Sequence, residues 1–269
     1  MLRTVIATMA LATALTAAAV AQSRTQGFGR AGTAWCNDNG NGDRASYCEV
    51  REEAVSGVNP LDVDAGRNGG IRVRGWDRVD VLVRARIVGY ADTDAEARRI
   101  VSGVRVVTTG GSVRAEGPDG GASHWSVSFE LQVPRTALLT LNTNNGGISI
   151  EDFHGTAKFR AHNGGVKLDN VSGDIRGETT NGGMTIDLAG DHWDGAGLDV
   201  ETQNGGIRMS LPEHYSAALE AGTTNGRVSI DFPVTVQGTF RKQLNTTLGA
   251  GGARIRAVTT NGGVTIRRR

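Results

Sequence analysis

From Leu139 to Ile266 apolar and polar residues alternate with period two, and the alternation restarts around a recurring asparagine. Aligned on Asn145, Asn163, Asn181, Asn204, Asn225 and Asn261, the third and fifth residues onward form apolar pairs. They read Ile148 and Ile150, Val166 and Leu168, Met184 and Ile186, Ile207 and Met209, Val228 and Ile230, Val264 and Ile266. A polar residue sits inside each pair, as Ser149, Lys167, Thr185, Arg208, Ser229 or Thr265. Six residues upstream come Leu139, Ala157, Ile175, Leu198, Leu219 and Ile255, with Lys158, Arg160, Arg176, Glu178, Asp199, Glu201 and Glu220 at the positions between. One apolar and one polar face is the pattern of a half-buried strand. Each copy therefore predicts strand, Asn-Gly turn, strand, the turn assigned to residues that tolerate positive φ.

The first five copies are spaced 18, 18, 23 and 21 residues apart. Self-similarity of this length predicts stacked units that cannot bury their faces alone. The favoured fold is an all-β solenoid in which each copy adds one coil, about 4.8 Å along the axis. The recurring Thr two places before the Asn would then stack in an inward ladder, and the Asn side chains in another. A chain of antiparallel hairpins is the alternative, because Asn-Gly between alternating runs is also a hairpin signal.

Weaker copies extend the array. "GAGGARI" (Gly249 to Ile255) offers Ala253 and Ile255. "RNGGIRV" around Asn68 offers Ile71 and Val73, with Leu61, Val63 and Ala65 one residue out of step, and "TTGGSVRA" from Thr108 is fainter. Between them "VDVLVRARI" (Val79 to Ile87) and "SVSFELQV" (Ser126 to Val133) read as longer strands. Thr93 and Glu96 make a capping box ahead of a helix over about 93–103, whose apolar face is Ala97, Ile100, Val101 and Val104. This insert is expected to cover the open N-terminal end of the stack.

Residues 1–21 read as a signal peptide: Arg3, an apolar run from Val5 to Val20, and "AVA" before Gln22. No later stretch reaches the roughly 20 apolar residues of a membrane span, so the chain is expected to be soluble and exported, in the periplasm or outside the cell. Without Arg3 the chain holds 28 basic and 28 acidic residues, which argues against nucleic acid or an anionic membrane as partner. In an oxidising compartment Cys36 and Cys48 are expected to form a disulfide. The organisation read from this is a signal peptide (1–21), a stapled segment (22–60), an irregular β-rich capping region (61–135) and the regular array (136–269). The last two are continuous.

"YCEVRE" from Tyr47, "DAGRNGGIRVRGWD" from Asp64, "DTDAEAR" from Asp92, the NGG turns and the closing "LGAGGARIRAVTTNGGVTI" together resemble a bacterial adhesin-like family of unknown function. The resemblance runs from about Tyr47 to Ile266. It implies an exported β-solenoid and brings no catalytic set, cofactor or ligand. Asn225-Gly226-Arg227 departs from the turn pattern.

Candidate chemistry is sparse. "NDNGNGD" (Asn37 to Asp43) imitates a calcium loop, but Cys48 stands where the bidentate Glu belongs, and a disulfide-closed turn explains it better. Asp191, His192 and Asp194 lack further ligands for a metal site, and Trp193 is expected to fold against the stack. With coils stacked in chain order, Glu178 would lie beside Glu201 and Asp199 beside Glu220, a carboxylate wall that could act on a polysaccharide. The same register sets Arg160 beside Glu178 and Arg176 beside Asp199, the ordinary pairing of a solvated wall. The outward row of Ser, Lys, Thr and Arg is too mixed for ice binding.

The sequence thus reads as a non-enzymatic, adhesin-like or scaffold surface without cofactor or metal. A cell-surface glycan or an envelope protein is the partner it suggests. A carbohydrate-active enzyme, or an envelope-associated sensor or accessory protein, are the alternatives.

Overall fold

The computed structural model describes residues 35–36, 44–57, 59–118, 124–232 and 242–269. The expected signal peptide and the "NDNGNGD" segment lie outside them. In chain order the strands are β1 (Ala45–Val55), β2 (Leu61–Asp64), β3 (Ile71–Trp76) and β4 (Val81–Ala91). Helix α1 (Asp94–Gly103) follows, then β5 (Arg105–Val107), β6 (Ser112–Glu116) and β7 (Trp125–Pro134). The regular part holds β8 (Leu138–Asn145), β9 (Ile148–Phe153), β10 (Thr156–Asn163), β11 (Val166–Val171), β12 (Asp174–Asn181) and β13 (Met184–Asp187). It continues through β14 (Gly197–Asn204), β15 (Ile207–Leu211), β16 (Ala217–Asn225), β17 (Val228–Ile230), β18 (Gln243–Leu248), β19 (Arg254–Asn261) and β20 (Val264–Arg268).

Each NGG copy puts its upstream strand in one sheet and its downstream strand in the other, and like strands of successive copies pair in parallel. This is the solenoid, and the NGG turns are its corners. Sheet A runs β1-β4-β7-β3-β9-β11-β13-β15-β20-β17, and sheet B runs β18-β16-β19-β14-β12-β10-β8-β2-β6-β5. Their inward residues, among them Leu141, Ile150, Phe153, Leu168, Ile175 and Ile186, form one continuous buried core.

The coils do not stack in chain order. The last copy, β19 and β20, lies between the β14/β15 coil and the β16/β17 coil. The chain places β16 and β17 one slot beyond β15, runs β18 antiparallel along the outer edge of β16, and returns to fill the gap. "TTNGGVTI" is therefore an interior coil, not the terminal one. "GAGGARI" is no separate coil either; it leads from β18 into β19, where Ile255 is buried.

At the other end the outcome differs by segment. The Asn68 copy joins both sheets, and Leu61 and Val63 pair with Leu139 and Leu141. Its extra residue is absorbed at Gly66, whose φ is +63°, and whose N–H donates to Asp64 Oδ1 at 2.8 Å. "TTGGSVRA" does form an antiparallel hairpin, β5 with β6, so the alternative geometry holds there alone among these copies. Val79 lies before β4 and is 89% exposed, outside the expected alternation. The segment read as stapled (22–60) carries β1, eleven residues antiparallel to β4 at the sheet edge. Cys36 is bonded to Cys48 in that strand.

Thr93 Oγ1 accepts from Glu96 N at the start of α1. Val101 and Val104 enter the common core, and the bare Gly89 lets the helix approach β4 closely. Arg51 of β1 donates to the carbonyls of Val101 (3.0 Å) and Val104 at the helix end, where the Val101 carbonyl also accepts from Val104 N. Among the described residues no helix is long and apolar enough to cross a membrane.

Candidate functional site: the corners and the two walls

The corner residues bond to neighbouring coils. Asn Nδ2 donates to the Asn Oδ1 of the adjacent coil at 2.8–3.0 Å along the series Asn68, Asn145, Asn163, Asn181, Asn204, Asn261, Asn225. The buried threonines lie beneath. Thr179, Thr202, Thr259 and Thr223 donate to the carbonyls of Gly164, Gly182, Gly205 and Gly262 at 2.7–2.9 Å, and Thr143 donates to Gly69. Their hydroxyls satisfy backbone of the next coil instead of one another.

The glycines are needed for stacking. None of the ladder asparagines has positive φ, and of the first glycines only Gly262 does, at +151°. A Cβ on Gly182 would sit 2.1 Å from Gly164 O, and one on Gly205 2.1 Å from Gly182 O. The second glycine faces the opposite neighbour: a Cβ on Gly183 would be 3.1 Å from Gly206 O, and one on Gly263 3.2 Å from Arg227 O. Arg227 replaces that glycine in the coil beyond which sheet A has no further strand. The one departure from the pattern marks the end of the stack.

The outward wall of sheet B carries the acidic residues singled out above. Glu178 does pair in register with Glu201, but Asp199 and Glu220 are separated by β19. Arg160 reaches Glu178 at 2.7 Å. Arg256 spans three strands, with Asp199 at 2.7 Å and Glu201 and Glu220 each at 3.5 Å. Burial works against its charge, yet the hydrogen bond to Asp199 and the charges of Glu201 and Glu220 hold its pKa above the ordinary arginine value. Arg254 also binds Glu220. A shallow depression of about 400 Å³ lies over Lys158, Arg160, Glu178, Glu201 and Arg256. Its carboxylates Glu178, Asp199 and Glu201 each lie against an arginine.

In the Asp191–Asp194 loop, set aside above as a metal site, His192 Nδ1 and Asp191 Oδ1 are 2.6 Å apart, and that contact lowers the Asp191 pKa. Trp193 is buried against the stack and donates to Gly173 O at 3.0 Å. Burial, with the Asp191 charge, pushes the Tyr215 hydroxyl up to about 12. Among the described residues no group of three or more His, Cys, Asp or Glu is placed to hold a metal.

The outward wall of sheet A holds a longer groove, about 590 Å³, which sequence reading did not find. Gly70, Gly147, Gly165 and Gly183 line it together with Ser128, Ser149 and Thr185. It crosses β7, β3, β9, β11 and β13, about 19 Å at the ordinary strand spacing. Trp35 also lines it. Arg84 holds that indole, its guanidinium carbon 5.7 Å from the ring centre. Arg84 is itself buried and tied to Glu130 at 2.7 Å and Glu52 at 3.2 Å. The Cys36–Cys48 bond fixes the residue next to Trp35. The only signal for this in the sequence was a tryptophan beside a bridged cysteine.

Residues 88–267, well over half the chain, match the Toastrack DUF4097 family. The chain belongs to that family. A β-solenoid-like architecture is the family's fold, in agreement with the two long, mostly parallel sheets. Among solved structures, the Toastrack chain is similar to a putative cell adhesion protein from Clostridium sporogenes. The identity is 10% over 83% of this chain and 100% of that one, with a TM-score of 0.45. A putative adhesin from Bacteroides fragilis is 11% identical over 83% and 97%, with a TM-score of 0.32. A putative lipid binding protein from Parabacteroides distasonis is 8% identical over 86% and 98%, with a TM-score of 0.30. No curated protein matches the chain significantly.

Proposed function

We propose that this Toastrack protein is an exported, non-enzymatic binding scaffold that holds an extended glycan along the outward groove of sheet A. The observation that carries the reading is the groove itself, with an anchored indole beside a floor of glycines and hydroxyls. Bare glycines let a ligand lie flat, Ser and Thr hydroxyls exchange hydrogen bonds with sugar hydroxyls, and an aromatic face takes up the apolar face of a pyranose. The groove follows the coil axis, so a polymer meets one strand at each step, with Ser128, Arg72, Ser149, Lys167 and Thr185 in turn.

Export rests on the Ala-rich leader and on a disulfide that persists outside the reducing cytosol. Non-enzymatic action is supported by the pairing of the acidic wall with arginines. A binding screen against polysaccharides tests the reading. Wild-type protein is expected to retain a glycan and release it unshortened, and Trp35→Ala to weaken retention at least roughly tenfold, the scale of one lost stacking contact. Retention unaffected by Trp35→Ala would sink the groove. Depolymerisation that disappears in Glu178→Gln or Glu201→Gln would establish the enzyme instead.

A further inference from the structure

The geometry points to an acidic polysaccharide, one bearing uronate carboxylates, as the ligand of this groove, with Arg208 and Arg267 reading its charge. The inference rests on the glycan reading above and names the class of glycan.

Along the outward face of sheet A, cations and carboxylates are paired through the N-terminal part. Arg72 meets Glu130 at 3.5 Å, Arg74 meets Asp152 at 3.2 Å, and Lys167 meets Asp169 at 2.9 Å and Glu151 at 3.8 Å. Past Thr185, at the end of the groove, Arg268 still meets Glu213 at 3.0 Å, but Arg208 and Arg267 make no such pair among the described residues. Arg208 stands opposite Thr185 in the register of β13 and β15. Arg267 lies on the next strand, opposite Ser210 and two residues beyond the partner of Arg208. Both are exposed, and neither makes an ion pair or side-chain hydrogen bond among the described residues. Asp187, on the strand before Arg208, lends its charge to Lys167, and Asp231, which follows Ile230 and donates its N–H to Ile266 O, stands beside Arg267 without an ion pair between them among the described residues.

Two exposed guanidiniums without an ion pair among the described residues thus continue a groove whose other end is an indole. Neighbouring strands are about 4.8 Å apart, close to the advance of one pyranose along an extended chain. Successive sugars would meet successive coils, and arginines on consecutive coils would meet carboxylates on neighbouring sugars. A polyuronate presents a carboxylate at every step and engages both arginines, whereas a glycan with one terminal phosphate engages one. The planar guanidinium fork fits a carboxylate with two parallel hydrogen bonds. Because both arginines face water, their contribution is modest and falls with salt.

The test is titration calorimetry of the purified protein with an oligogalacturonate and with a cello-oligosaccharide of the same length, at low and at physiological ionic strength. Wild type is expected to bind the acidic ligand roughly tenfold more tightly at low salt, the preference shrinking as salt rises. The Arg208→Gln/Arg267→Gln double variant, with an unchanged unfolding midpoint, is expected to bind both ligands alike. Trp35→Ala is expected to weaken both. Equal affinities in wild type, or an acid preference that survives in the double variant, would overturn the inference and leave the groove reading standing. Displacement of the acidic ligand by inorganic phosphate, where chloride has no effect, would assign the arginines to a phosphate-bearing ligand and overturn it as well. Failure of both oligosaccharides to bind would remove the groove reading itself.

Discussion

At the scale of single residues, the corner motif is a set of contacts between coils, and each member makes its own prediction. Thr202 is fully buried and gives its hydroxyl to Gly182 O, so Thr202→Val removes the donor while keeping the shape. A loss of about 1–2 kcal/mol in a urea titration is expected, the cost of a buried carbonyl left unpaired. Asn-Gly sequences are chemically labile because the glycine nitrogen can attack the Asn amide carbon, expelling ammonia and closing a succinimide that water opens to aspartate or isoaspartate. In the stack that nitrogen is engaged: the N–H groups of Gly146, Gly164, Gly182, Gly205 and Gly262 each donate to the Asn carbonyl of the next coil at 3.0–3.1 Å. Gly226, with no coil beyond it, finds no such partner among the described residues. Peptide mass mapping after mild alkaline incubation should therefore find Asn225 converted first among the ladder asparagines; even conversion along the ladder would contradict this protection.

Asp152 is one residue that responds to acid. It sits at φ +54° and accepts from Asn170 at 2.9 Å; that bond, opposed by partial burial and aided by Arg74, holds its pKa below the ordinary aspartate value. A depressed folded-state pKa gives stability that is complete above the ordinary aspartate range and lost as pH falls through the folded value. Acid unfolding of wild type should show this loss below about pH 4. Asp152→Asn, which keeps an acceptor for Asn170 and tolerates positive φ, should flatten that part of the profile.

At the scale of elements, strands and corners were legible because period two and the Asn-Gly turns act within each copy. The order of the coils was not, because it depends on which copies meet. Two residue signals did encode it. Asp199 and Glu201 on β14 and Glu220 on β16 would repel as direct neighbours, and Arg254 and Arg256 on the inserted β19 relieve them. Arg227, standing where a second glycine would be, belongs in the coil that nothing follows. By the same logic Gly182→Ala, whose Cβ would lie 2.1 Å from a backbone oxygen, should cost about 3 kcal/mol or more in chemical unfolding. Arg227→Gly should change stability by no more than about 0.5 kcal/mol. The strand β1 was illegible for a different reason: its burial pattern does not alternate, since its stability comes from lying against β4 and α1.

At the scale of the whole molecule, the repeat spends its regular residues on the core and corners and leaves the outward positions free to differ. From the sequence the sheet B carboxylates could act on a polysaccharide but read better as a solvated wall paired with arginines, and the inserted β19 adds Arg254 and Arg256 to that pairing. The sheet A groove was hidden because its aromatic residue, Trp35, reaches it from outside the array, through a disulfide and a buried arginine. A site assembled from a distant segment leaves no periodic trace.

The central claim is that an extended glycan lies along the coil axis and is held without being cut. Titration with a ladder of oligogalacturonates, followed by sizing of the recovered ligand, tests both halves at once. Affinity is expected to rise with length until the oligomer spans the roughly 19 Å groove and the two coils beyond it, then level off, with the ligand recovered at full length. An affinity independent of length, or recovery of shortened products, would contradict the account.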